Sequence, residues 1–160
     1  MVIGEQTPLD TKSAKRLKKV LVIDDSETIV ELIRHAMQLH GGFEVTVAYN
    51  GVQGLEQFYR ARPDCVVVDV KMPGLDGNQF VRTIRGDPTC AHTPLVILSA
   101  LTSEDDVLTG ILSGVDAYLP KPFATKALLA TLDQVMAITP EERAERMERL
   151  ASEGDPELER

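Results

Sequence analysis

The sequence predicts a doubly wound α/β fold, in which helices cover both faces of a five-stranded parallel sheet. Two observations support this prediction. Short apolar runs, rich in β-branched residues, alternate with longer segments of helical periodicity, and the strand-helix alternation repeats five times. Strands that alternate with helices in this way pair in parallel through right-handed crossovers. We expect one domain of this class with a C-terminal helical extension.

Five segments are predicted as strands because they are short, apolar and bounded by polar or turn-forming residues. In chain order they are Val20 to Ile23, Phe43 to Ala48, Asp64 to Asp69, Leu95 to Leu98 and Ala117 to Leu119. The first, third and fourth contain continuous apolar runs, which indicates burial on both faces of the sheet. The second alternates apolar and polar residues, as a half-buried edge strand does.

Helical periodicity and capping residues predict five helices that follow these strands. They cover Glu27 to Leu39, Asn50 to Arg62, Asp76 to Arg85, Ser103 to Ser113 and Phe123 to Ile138. Asn50 and Asp76 are predicted N-caps, because a glutamine lies three residues after each of them. In the second helix, the apolar stripe of Val52, Leu55 and Phe58 is predicted to face the sheet.

Two flanking segments are predicted outside the domain of residues 19–138. Residues 1–18 form a flexible basic arm with too few apolar residues to fold alone. Residues 139–160 form a C-terminal helix and tail, and the helix begins at Thr139 and Pro140 and runs to about Ser152. This helix is either a solvated extension or one strand of a short coiled coil that supports at most a weak homodimer, because its apolar stripe is narrow: Ala144, Met147, Leu150 and Ala151.

Composition limits the classes of function. The formal net charge of -8 and the pI near 4.9 argue against direct binding of nucleic acid, which needs a basic face. No apolar run approaches the ~20 residues that cross a bilayer, and the N-terminus lacks the apolar core of a signal peptide. Cys65 and Cys90 form no metal-binding or disulfide pattern. We expect a cytoplasmic protein that contacts neither nucleic acid nor membrane.

Carboxylates follow two strands of the predicted sheet. Asp24 and Asp25 come directly after the first strand, and Asp69 ends the third. In the flavodoxin-like strand order 2-1-3-4-5 these strands are neighbours, so the three acids should converge at the topological switch point, where ligands bind in such sheets. Carboxylates at close range repel one another, and oxygen ligands without His or Cys favour a hard divalent ion. The sequence therefore predicts a Mg²⁺ site.

A lysine and a serine are predicted to reach the same pocket. Ser99 ends the fourth strand and Lys121 follows the fifth, so a hydroxyl and an ammonium would face the three acids. These groups suit a phosphoryl group. We predict that the Asp69 carboxylate attacks a phosphoryl donor, and that Mg²⁺, Lys121, Ser99 and the backbone N–H of Ala100 hold the resulting aspartyl phosphate.

Four motifs resemble those of the response-regulator receiver domains of two-component signalling, including chemotaxis regulators. The resemblance extends from Lys19 to about Ile138, and the motifs are VLVIDDS, VVVDVKMPGLDG, VILSA and AYLPKPF. It implies a phosphoprotein that catalyses only its own phosphorylation and dephosphorylation and is not otherwise an enzyme. Because nothing after Ile138 resembles an output domain, we expect a stand-alone receiver or a piece of a longer regulator.

The resemblance also implies a role for each matching residue, with Asp69 as the phosphoacceptor. The implied metal contacts are Asp24, Asp25, Asp69 and the backbone carbonyl of Lys71; the implied phosphoryl contacts are Ser99, the Ala100 N–H and Lys121; and the implied switch residues are Ser99 and Tyr118. A cis peptide between Lys121 and Pro122 is implied as well. The resemblance also places Lys71 and Leu101 beside the approach of water to phosphorus, which predicts a long-lived phosphoryl state unless Lys71 points to solvent.

The implied partners lie upstream and downstream of the phosphoryl group. A sensor histidine kinase or a histidine phosphotransfer protein would donate it. A downstream protein would read the face formed by the predicted helix 103–113, the fifth strand and the helix after it, once Ser99 and Tyr118 have moved.

Two other functions remain open at this point. Phosphohydrolases of the haloacid dehalogenase type also use an aspartyl nucleophile, but they need D-x-D after the first strand, and Asp24 and Asp25 are adjacent. A degenerate receiver could act as a constitutive binding module, although the complete set of acids disfavours it. Treatment with a small phosphodonor separates the three functions, since they give a stable adduct, rapid turnover or no reaction.

Overall fold

The computed structural model describes residues 16–100 and 114–153, and the predicted helix from Ser103 to Ser113 lies outside the described residues. The described strands are β1 (Lys18–Ile23), β2 (Phe43–Ala48), β3 (Cys65–Asp69), β4 (Leu95–Ser99) and β5 (Ala117–Pro120). The described helices are α1 (Glu27–His40), α2 (Gly51–Ala61), α3 (Gly77–Gly86), α4 (Thr125–Met136) and α5 (Pro140–Glu153).

The sheet has the predicted architecture. Its five strands run parallel in the order β2-β1-β3-β4-β5, so the doubly wound fold and the strand order are confirmed. The register pairs Ile23 with Val68, and Asp69 with Leu98. The carboxyl ends of β1, β3 and β4 therefore lie side by side at one edge of the sheet.

The core has two layers, one on each face of the sheet. Alternate residues of β1 enter opposite layers: Val20 and Val22 pack with α1 and α4, whereas Leu21 and Ile23 pack with α2 and α3. All four side chains are at most 1% exposed. This two-sided burial explains why the strand is a continuous apolar run and not an alternating one.

Helix α2 faces the sheet with Leu55 and Phe58, as predicted, but not with Val52. Val52 is 59% exposed, and the buried residues are Gly51, Gly54 and Phe58. Gly54 lies so close to β1 that a Cβ at this position would come within 2.6 Å of the Ile23 side chain. The prediction for Val52 was wrong because the helix packs through small residues, which periodicity of apolar residues does not detect.

Helix α5 begins as predicted. The Thr139 hydroxyl accepts a hydrogen bond from the Glu142 N–H at 3.2 Å, and the Glu142 carboxylate accepts one from the Thr139 N–H at 2.9 Å. This is a capping box, which satisfies two N–H groups at the start of the helix.

Candidate functional site

The end of β1 delivers two acids to the carboxyl edge of the sheet. The Asp24 N–H donates to the Ala48 carbonyl at 3.1 Å, which continues the pairing of β1 with β2. The Asp24 carboxylate accepts a hydrogen bond from the Ser26 N–H at 2.9 Å, and the Ser26 hydroxyl caps α1 by accepting from the Ile29 N–H at 3.4 Å. The turn that caps α1 therefore also orients Asp24.

The structure brings the three predicted acids together. Oxygen atoms of Asp24, Asp25 and Asp69 all lie within 4.8 Å of one another. Asp24 is fully buried and Asp69 is 7% exposed, whereas Asp25 is exposed. The group is thus closed toward the sheet and open toward solvent on the side of Asp25, which gives a small ligand a path to the carboxylates.

Lys121 bridges the two buried acids. Its Nζ lies 2.8 Å from Asp24 Oδ2 and 3.3 Å from Asp69 Oδ1. The Lys121 N–H donates to the Ser99 carbonyl at 2.8 Å, which ties the lysine to the end of β4. The peptide between Lys121 and Pro122 is cis, as the resemblance implied.

Burial and charge shift the titration of this site. The pKa of Asp69 is raised, first by burial and then by the negative charge of Asp24; the ammonium of Lys121 lowers it but does not offset the increase. Burial works against the charged form of Lys121, yet its hydrogen bond to Asp24 and the charge of Asp69 raise its pKa overall. The charged form of Lys121 is therefore favoured in the folded protein, whereas the charged form of Asp69 is disfavoured.

The donor set fits a hard divalent cation. Three carboxylates face a single ammonium, so two negative charges are left uncompensated within a few ångströms. Carboxylate oxygens, with one side open for water or phosphate oxygens, are the coordination that Mg²⁺ prefers. The described part of the chain thus contains a cluster of three carboxylates that could hold such an ion.

The other predicted residues lie on or directly after strands β4 and β5 and in the loop after β3, apart from Leu101. Ser99 is 1% exposed at the end of β4, and Ala100 next to it is exposed. Tyr118 lies on β5, half-buried against the layer that contains α2 and α3. The Lys71 side chain is exposed in the loop after β3. Leu101 lies outside the described residues.

Sequence reasoning missed a second buried charge cluster. Asp116 binds both Arg85 and Arg143, and all three side chains are at most 4% exposed. Asp116 immediately precedes β5, so this cluster lies at the amino end of the strands, opposite the acids. No local pattern links these residues, because they are 27 or more positions apart along the chain.

This geometry defines an open α/β protein with an acidic, cation-binding type of site at its topological switch point. The family model for the response regulator receiver domain matches residues 20–133. The chain belongs to that family. Receiver domains are signalling modules of two-component systems, which are phosphorylated on an aspartate and generally bind Mg²⁺ at an acidic pocket.

Similar proteins include full-length regulators and single receiver domains. The response regulator MprA of Mycobacterium tuberculosis is 38% identical over 130 residues, which are 81% of this chain and 55% of that protein. This chain therefore spans about half the length of such relatives. The solved structure of chemotaxis protein CheY4 from Vibrio cholerae has 35% identity and a TM-score of 0.70, and the match covers 74% of this chain and 98% of CheY4.

A putative response regulator from Chloroflexus aurantiacus is also similar in structure, with 29% identity, a TM-score of 0.72, and coverage of 76% of this chain and 98% of that chain. Response regulators interact with histidine kinases and with downstream targets. Among the described helices of this chain, none has the length and apolar character needed to cross a membrane.

Proposed function

We propose that Asp69 accepts a phosphoryl group from the phosphohistidine of a sensor kinase or a histidine phosphotransfer protein. The observation that carries this proposal is the group of three acids with Lys121 across two of them. Asp69 is the acid that lies at the end of a central strand and is reached by both the ammonium and the open side of the pocket. Burial beside Asp24 makes the charged form of Asp69 unfavourable, so the pocket favours a cation that can compensate the negative charge of the acids and of a phosphoryl group.

In the proposed reaction, one oxygen of Asp69 forms a bond to phosphorus as the bond from phosphorus to the histidine nitrogen breaks. The departing nitrogen keeps the electron pair. Lys121 already contacts Asp69 at 3.3 Å, so its ammonium is in position to bind the phosphoryl oxygens. The Ser99 hydroxyl and the Ala100 N–H are assigned to the remaining oxygens because Ser99 ends the adjacent strand β4 and Ala100 follows it.

Asp24, Asp25, Asp69 and the backbone carbonyl of Lys71 would hold Mg²⁺, which when bound neutralises charge on the transferring phosphoryl group. Residues of the chain supply the rest of the catalysis through position. The Asp24 carboxylate is held by the Ser26 N–H, and the Lys121 ammonium is held 2.8 Å from Asp24 Oδ2. Both charged groups are therefore oriented before a donor arrives, which lowers the reorganisation needed during transfer.

Intact-mass measurement after treatment with a small phosphodonor tests the proposal. Wild-type chain in Mg²⁺ should gain the mass of one phosphoryl group, and Asp69→Asn should gain none. Asp76→Asn is the matched control, because Asp76 lies in the same loop but caps α3 and should label like wild type. Labelling of Asp69→Asn, or undiminished labelling in excess EDTA, overturns the assignment. Failure of the wild type to label instead identifies a degenerate receiver that binds its partners constitutively.

The proposed output is a change in the protein surface next to the phosphorylated site. Ser99 would move toward the phosphoryl group and Tyr118 would turn inward, which changes the surface formed by β5, α4 and the segment 103–113 for a downstream protein. The Lys121 N–H bond to the Ser99 carbonyl supports this coupling between β4 and β5. Amide NMR shifts should change for Ala117 to Leu129 on phosphorylation; if they stay constant while other regions respond, this output surface is wrong.

Three further assignments, of domain bounds, location and self-association, complete the proposal. Residues 19–138 act as the receiver, with residues 1–18 as an arm and 139–160 as an added helix and tail. The chain works in the cytoplasm. Two copies associate weakly, and fractionation together with sedimentation of the full chain tests the last two assignments.

A further inference from the structure

Helix α5 is attached to the receiver body by one buried side chain near its start. Arg143 is 2% exposed, and its Nε donates to Asp116 Oδ1 at 2.7 Å. Its other nitrogens donate to the His92 carbonyl at 2.7 Å and to the Val135 carbonyl at 3.3 Å. Within the described ranges, no hydrogen bond or ion pair joins a side chain of residues 144–153 to the body. Arg143 is therefore the polar anchor of this helix.

The charge balance of the anchor makes the docking of α5 reversible. The carboxylate of Asp116 serves two buried guanidiniums, because Arg85 Nη2 also donates to it, at 2.9 Å. Arg85 alone can neutralise Asp116, so the charge of Arg143 is buried against backbone carbonyls without a counter-charge of its own. Burial of an incompletely compensated charge offsets much of the energy of its hydrogen bonds. The helix also lies outside residues 20–133, which match the family model, so it can leave the body without unfolding the receiver.

Beyond the anchor, α5 lies over the start of β5. A groove of about 510 Å³ separates the helix from residues 114–118, and Met147 and Leu150 line it on the helix side. Both side chains are partly buried, although neither belongs to the two core layers of the described residues. They share the helix face of the buried Arg143, which precedes them by four and seven positions, so this face points at the chain's own body. The helix therefore covers the start of β5 loosely.

The covered region includes the proposed switch residue Tyr118. This side chain lines the groove, and the proposed output turns it inward. An inward turn would withdraw its ring from the groove and leave Met147 and Leu150 facing a wider gap. Apolar side chains lose favourable contacts when the gap beside them widens. The docked helix therefore favours the position that Tyr118 has in this structure.

We propose that α5 is an autoinhibitory cover. Docked through Arg143, it restricts the access of a downstream protein to the start of β5, and it opposes the inward turn of Tyr118. Because coupling between two sites is reciprocal, phosphorylation of Asp69 weakens the docking of α5, and release of α5 favours phosphorylation. The docking rests on the geometry alone, whereas its effect on phosphorylation rests on the proposed function.

Two release variants and two matched controls test this cover in the full chain. Met147→Glu places a charge on the apolar stripe without touching the anchor, and Met147→Leu keeps the position apolar. Arg143→Gln removes the anchor, and Arg146→Gln makes the same charge change at an exposed position of the same helix. Met147 is only partly buried, so the receiver fold should be retained, which circular dichroism checks.

Fluorine NMR of the chain labelled with 3-fluorotyrosine measures the cover. The labels lie at Tyr49, Tyr59 and Tyr118, and the first two side chains belong to residues that are 37% and 40% exposed. A soluble gadolinium chelate should broaden the Tyr118 signal about twofold more in the release variants than in wild type and the controls. The other two signals should respond equally in every chain. Equal broadening of the Tyr118 signal in every chain overturns the cover.

Labelling by a small phosphodonor measures the inhibition. At a subsaturating phosphodonor concentration, the labelled fraction found by intact mass should be about twofold higher in both release variants than in wild type and the controls. Labelling at the wild-type level in both variants overturns the inhibition, and the proposed function then stands. An increase in Arg143→Gln alone also overturns it, because that change acts on Asp116 as well as on the helix. No labelling of any chain refutes the proposed function and, with it, the inhibition.

Discussion

Replacing the proposed phosphoacceptor, Asp69, with asparagine, its neutral isostere, should stabilise the fold at neutral pH. The side chain of Asp69 is 9% exposed, and its oxygens lie within 4.8 Å of those of Asp24 and Asp25. At an effective dielectric of about 20, two charges 4.8 Å apart repel by about 3.5 kcal/mol, while the 3.3 Å contact with Lys121 attracts by about 5 kcal/mol. Repulsion from the two acids, about 7 kcal/mol together, therefore exceeds the attraction to Lys121, and burial of the carboxylate adds to this cost.

The raised pKa of Asp69 also indicates that its negative charge destabilises the folded state, and burial is the first cause of the shift. Asp69→Asn removes the buried charge, while the amide oxygen still accepts from Lys121, which also keeps Asp24 at 2.8 Å. We expect the free energy of unfolding to rise by about 1 to 2 kcal/mol at pH 7, the usual scale for relief of strain at a functional site.

The gain should depend on pH in a defined direction. A carboxyl group with a raised pKa binds its proton more tightly in the folded state than in the unfolded state. Below its unfolded pKa, near 3.8, the group is protonated in both states and does not destabilise the fold. The cost grows as pH rises from that value to the folded pKa, and it is complete above the folded pKa. The difference between Asp69→Asn and wild type should therefore be present at pH 7 and vanish in acid.

Urea unfolding followed by circular dichroism, without divalent ions, measures both effects. Asp25→Asn is the control, because this exposed carboxylate should change stability less. Added Mg²⁺ should stabilise wild type and reduce the difference in unfolding free energy between Asp69→Asn and wild type, since a ligand that binds only the folded state stabilises it. Lower stability of Asp69→Asn at pH 7, or a gain that persists at pH 3, would show that the charge balance in this pocket is different.

Three further substitutions have defined outcomes. Gly77→Ala should lower the free energy of unfolding by about 2 kcal/mol or more and impair phosphoryl labelling, because a Cβ would lie 2.3 Å from the Asp69 carbonyl oxygen. Gly86→Ala is the control in urea unfolding, because a Cβ at that position meets open space. Asp116→Asn should cost about 3 to 5 kcal/mol in the same assay, because two buried guanidiniums lose their counter-charge. Lys71→Asn should shorten the acyl-phosphate lifetime about tenfold, the effect of ~1.4 kcal/mol on the hydrolysis barrier, and unchanged decay would remove Lys71 from the water path.

The sheet could be predicted because burial on both of its faces leaves a local pattern in the sequence. Each residue from Val20 to Ile23 in β1 faces one of two core layers, so all four must be apolar. Helix α2 shows the limit of such reasoning. Its contact with β1 is made by Gly54, a residue whose lack of a side chain gives no apolar signal, and Val52 was assigned to the wrong face for that reason.

The convergence of the acids could be predicted for a different reason. Parallel strands all end at one edge, so any residue just beyond a strand is placed by topology and needs no knowledge of side-chain packing. The pairing of Asp116 with Arg143 has no such rule behind it. Arg143 belongs to a helix whose composition is highly polar, and its burial depends on how that helix meets the body, which only the three-dimensional structure provides.

Lys121 both stabilises the buried acids in the free protein and is positioned to respond to phosphorylation of Asp69. In the free protein its ammonium is shared between Asp24 at 2.8 Å and Asp69 at 3.3 Å. A phosphoryl group on Asp69 would bring more negative charge to the Asp69 side, so the ammonium should shift away from Asp24 and toward the phosphoryl oxygens. Because the Lys121 N–H is bonded to the Ser99 carbonyl, that shift would act on the ends of β4 and β5 together. The same contacts that stabilise the acids would thus carry the change in charge to the output surface.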